Sequence, residues 1–188
     1  MDKPSLEDLL KIIQSPAGSI LTWAFNLSCE TDALLRKQLP ELTRYPNLKG
    51  FANLLQAATI VAALLRIERY LGDNDYSALH KNVVQSIDPS VRSQYMSLLQ
   101  DLTAFLLKTD SMPQADIIPS FNELLNKDAD VLAMTLGYWV VGRMKMAQPE
   151  ESEGPFVQAL GGTIYTTNAK IISSLFLSGN KSVTTEYV

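Results

Sequence analysis

Sixteen consecutive residues, Gly50 to Leu65, carry no charge, and Val131 to Gly142 repeats the pattern over twelve. Uncharged runs of this length predict helices buried on nearly every side. No segment alternates with period two for long enough to argue a sheet. The expected fold class is therefore all-α: a single compact helical bundle of about six to eight helices with two nearly uncharged central helices, 48–71 and 131–146. One helical domain is expected over 1–178, with 179–188 as a frayed C-terminal tail.

The boundary signals refine this outline. Ser5 can cap a first helix whose Leu6, Leu9, Leu10 and Ile13 make one apolar stripe. Pro16 and Gly18 are expected to interrupt it before a second stretch through Ile20, Leu21, Trp23, Ala24 and Leu27, and a short turn of helix follows from Ala33 to Leu39. Asn47 is expected to cap helix 48–71, Gly72 to stop it, and Asp73-Asn74-Asp75 to turn the chain into a short helix over 77–86. Asp88-Pro89 is a strong start signal, since Asp caps and Pro tolerates the first helical position. Val91, Tyr95, Leu98, Leu102 and Phe105 then recur at steps of four and three, which predicts an amphipathic helix reaching about Lys108. A loop is expected over 109–119, a short helix over 121–126, and an Asp128 cap before helix 131–146. Glu150, Glu151 and Glu153 read as a solvated acidic turn, and Pro155 opens a last helix to about Leu177, weakened at Gly161-Gly162. Ala58 and Ala62 on one neutral helix, and Ala133 and Gly137 on the other, lie four apart. Small residues so spaced allow two backbones to approach, and a crossing of those two helices is expected.

Composition narrows function more than it assigns it. Apolar residues make up 46% of the chain and charged residues 19%, a low charge fraction that fits an oligomer interface or a partner groove as well as a polar surface. Net charge is −4 and the basic residues are scattered, which argues against nucleic-acid binding. Cys29 is the lone cysteine, as expected of a reducing, cytoplasmic setting. The N-terminal residues lack the basic start and apolar run of a signal peptide. A membrane crossing takes roughly 18 or more predominantly apolar residues, and Gly50–Leu65 reads as too short, so no membrane span is expected.

Catalytic and metal motifs are not apparent. His80 is the single histidine, so zinc and di-iron patterns that need several His or Cys fail. Asp73, Asn74 and Asp75 open like a calcium loop, but Ala78 and Val84 stand where Gly and a bidentate Glu belong. No phosphate-binding loop or nucleophile elbow is present. Cys29 with His80 would form a thiolate pair only if the fold joined them; a cysteine after Trp23, Phe25 and Leu27 reads more simply as a small buried hydrophobe. No catalytic residue, metal or cofactor is assigned. The adjacent Tyr138 and Trp139 stand out, because each joins a large apolar body to one polar atom, the chemistry of interfaces and pockets. With Met134 nearby and Trp23 elsewhere, they make the candidate ligand- or partner-binding residues. The expectation is a non-catalytic helical interaction or scaffold protein, self-associating or binding a protein partner. The alternative is a small apolar-ligand-binding protein with a pocket near Trp139 and Trp23.

Overall fold

The computed structural model describes residues 15–38, 45–110 and 129–176. Within them lie six α-helices and no strand: α1 (Pro16–Gln38), α2 (Phe51–Ile67), α3 (Asp73–Ser86), α4 (Pro89–Asp110), α5 (Ala129–Lys145) and α6 (Gly154–Phe176). The all-α reading holds. The expected Ser5-capped helix, the 121–126 helix, the Asp128 cap and the 179–188 tail fall outside the described residues.

α2 occupies the centre and touches α1, α4, α5 and α6. Twelve of its seventeen residues are buried and the other five are partly so, and Ile60 is 1% exposed. Two of the polar side chains it carries inward find partners. Thr59 donates to the Leu55 carbonyl at 2.8 Å, and Gln56 Nε2 donates to Ser28 Oγ of α1 at 3.0 Å. Together with the short 3-10 turn Leu48–Gly50, this stretch is long and apolar enough to cross a bilayer by length and composition, which corrects the count made on Gly50–Leu65 alone; two-thirds of its most apolar window is buried inside the protein.

The second neutral helix differs from its expectation. Leu136 of α5 is fully buried, but Trp139 and Thr135 are only half-buried and Tyr138 is 45% exposed. α5 is thus a flank of the bundle, with one side left uncovered by the other described residues. α5 touches α2, as expected, but it packs most extensively on α6, and Gly137 faces that helix. A Cβ placed on Gly137 would fall 2.6 Å from the Val157 carbonyl and 2.9 Å from the Gly161 nitrogen. One on Gly161 would meet the Ala133 carbonyl and Met134 Sδ, each at 3.0 Å. Period identifies a small-residue face; it does not name the partner.

Several boundaries shift for identifiable reasons. Pro16 and Gly18 open α1 instead of breaking it: Ser15 Oγ accepts the Gly18 N–H at 2.9 Å, and Pro suits the first helical position. From there α1 runs unbroken to Gln38, taking in the described part of the 33–39 stretch. Helix α2 ends at Ile67, short of Leu71. Gly72 is the extended residue before α3, so Asp73 and Asp75 sit in the first helical turn, where their charges favour the dipole. Asp88 caps α4 as expected, its carboxylate accepting the Ser90 N–H at 2.9 Å.

Candidate functional site: a cleft between two splayed helices

α4 and α5 scarcely approach each other through their backbones, and side chains bridge the gap. Trp139 Nε1 donates to Asp101 Oδ2 at 2.8 Å, Arg143 pairs with the same oxygen, and Arg143 also donates to Ser97 Oγ at 3.0 Å. The Arg143 guanidinium stands 5.7 Å from the Trp139 ring centroid, a cation–π distance. Trp139 and Arg143 are four apart, so one helical face delivers both to the acid on α4. Partial desolvation pushes Asp101 up, but hydrogen bonds from Arg143 and Trp139 and the Arg143 charge outweigh it and hold the carboxyl below its ordinary value.

Beside this bridge opens a cleft of about 520 Å³, with Leu102, Tyr138, Trp139, Gly142 and Pro149 among its lining residues. Gly142 lacks the constraint found at Gly137. A Cβ there would lie 3.4 Å from the Ala147 carbonyl and 3.5 Å from Pro149 Cδ, ordinary contact distances. Packing does not require this glycine; its missing side chain leaves room between Tyr138, Trp139 and Pro149.

The far wall is held by the α5–α6 connection. Met146 adopts a left-handed conformation (φ 59°) and the Ala147 N–H returns to the Gly142 carbonyl at 3.2 Å, a helix-ending arrangement that usually employs Gly or Asn. Beyond it, the acidic run is structured rather than simply solvated. Glu150 and Glu153 form a reciprocal capping box, and Lys145 Nζ reaches both, at 2.7 and 3.1 Å. Tyr45 donates its hydroxyl to Glu153 at 2.5 Å. Desolvation raises Glu153, yet the bonds from Tyr45, the Glu150 backbone and Lys145, with the Lys145 charge, bring it below its usual range. Asn47 provides no side-chain cap to its own turn. It donates its N–H to the Met144 carbonyl at 3.0 Å and its Nδ2 to that of Arg143 at 3.4 Å, at the end of α5.

Of the four candidate residues, Tyr138 and Trp139 line the cleft. Met134 instead lies over Gly161 on the α6 side. Trp23 stands apart on α1, 36% exposed, with Lys170 of α6 5.9 Å from its ring centroid. Asp101, Leu102, Gly142, Arg143 and Pro149 were not expected at a site. Their signal was the Trp139/Arg143 spacing; the acid between them comes from another helix. Cys29 is exposed, not buried as read, and His80 is engaged elsewhere: Nε2 lies 2.9 Å from the Tyr95 hydroxyl. Burial, with a contribution from Tyr76, pushes that hydroxyl up to about 12. Compared with models of protein families, with curated proteins and with solved structures, the chain gives no match.

Proposed function

We propose that this is a non-catalytic helical interaction protein, and that the α4–α5 cleft receives a side chain from a partner protein. One observation supports the reading above others. The Trp139 indole is fixed by Asp101 and Arg143 beside an open cleft, so the ring is held in place before any partner arrives, and little side-chain entropy remains to be lost on binding. The cleft lies open along the helix, with Tyr138 45% exposed. An enclosed site would suit a small molecule better, since such ligands are usually buried over most of their surface. Peptides selected from a displayed random library on the intact protein should lose binding on Gly142→Leu and keep it on Trp23→Ala. Peptides indifferent to Gly142→Leu, or none at all, would remove the cleft from the account.

Self-association is a second reading, favoured by α1, on which Phe25 is 55% and Leu34 54% exposed. Light scattering over a concentration series should then show a size increase that Phe25→Lys abolishes. A monomer at all concentrations would discard it.

A further inference from the structure

We draw no further inference here: the strongest candidate, the apolar pocket of about 340 Å³ where the start of α1 meets α3 and the ends of α2 and α6, with Pro16, Ile67, Leu79 and Phe176 among its lining residues, carries nothing because it adjoins residues 1–14 and 177–188, which lie outside those described, and nothing in the structure shows what covers it.

Discussion

The two faces of α5 are built on opposite principles. Toward α6 the backbones come so close that a Cβ at Gly137 would collide with the Val157 carbonyl and one at Gly161 would crowd the Ala133 carbonyl. Toward α4, the helices stand apart and are joined by an ion pair, an indole N–H and a serine hydroxyl, with an open cleft alongside. The first face excludes water and tolerates almost no change in volume. The second is held by groups that water can reach, so each contact there is worth little and the surface stays available. A glycine therefore means different things five residues apart: at 137 it permits the fold, at 142 it leaves a vacancy.

The largest expected effect lies on the tight face. Gly137→Leu would drive its side chain into the Val157 carbonyl and the Gly161 nitrogen, and should cost about 3 kcal/mol or more in urea unfolding. A melt like the parent's would show that the seam is not as close as described. Gly161→Ala meets the Ala133 carbonyl and the movable Met134 sulfur at 3.0 Å. It should cost about 1–2 kcal/mol, less than the first because one neighbour can yield.

Acid should separate the faces next. Asp101 has its folded value held below 3.8, so its bridge contributes stability above that pH and loses it as pH falls through the lower folded value. The Gly137–Gly161 seam has no titrating group among the atoms in closest contact. Trp139 emission should therefore change in acid before the helical signal does, and Asp101→Asn should remove the early step; an unchanged early step would assign it elsewhere. Because both partners are largely exposed, the stability involved is below about 1 kcal/mol. The smallest effect is a gain. Gly142→Ala should stabilise the helix by about 0.5 kcal/mol, since Ala outranks Gly and the added carbon finds room. A loss of similar size would erase the contrast between the two glycines.

The sequence made the elements legible, and far less of their arrangement. The uncharged run at 50–65 marked the central helix because a segment without charge has no side to offer water. Asp88-Pro89 and the four–three stepping from Val91 to Leu102 marked α4, since capping and periodicity are local. What failed was pairing. Nothing local in Ala133-x-x-x-Gly137 says whether it meets α2 or α6. Nothing in Trp139 points to an acid on α4, nor in Glu153 to a tyrosine 108 residues away. Pro16 was misread because its effect depends on whether a capping hydroxyl stands one residue before it; Ser15 does.

That Tyr45–Glu153 bond carries a kinetic consequence. Most close approaches here join helices near one another along the chain, the kind of contact that forms fast. A tie across 108 residues, alongside the Asn47 link to the end of α5, fastens only once the intervening helices have assembled. Tyr45→Phe should leave the refolding rate almost untouched and shorten the lifetime of the native state. The hydroxyl acts as a clasp, closing late and setting how long the finished bundle lasts.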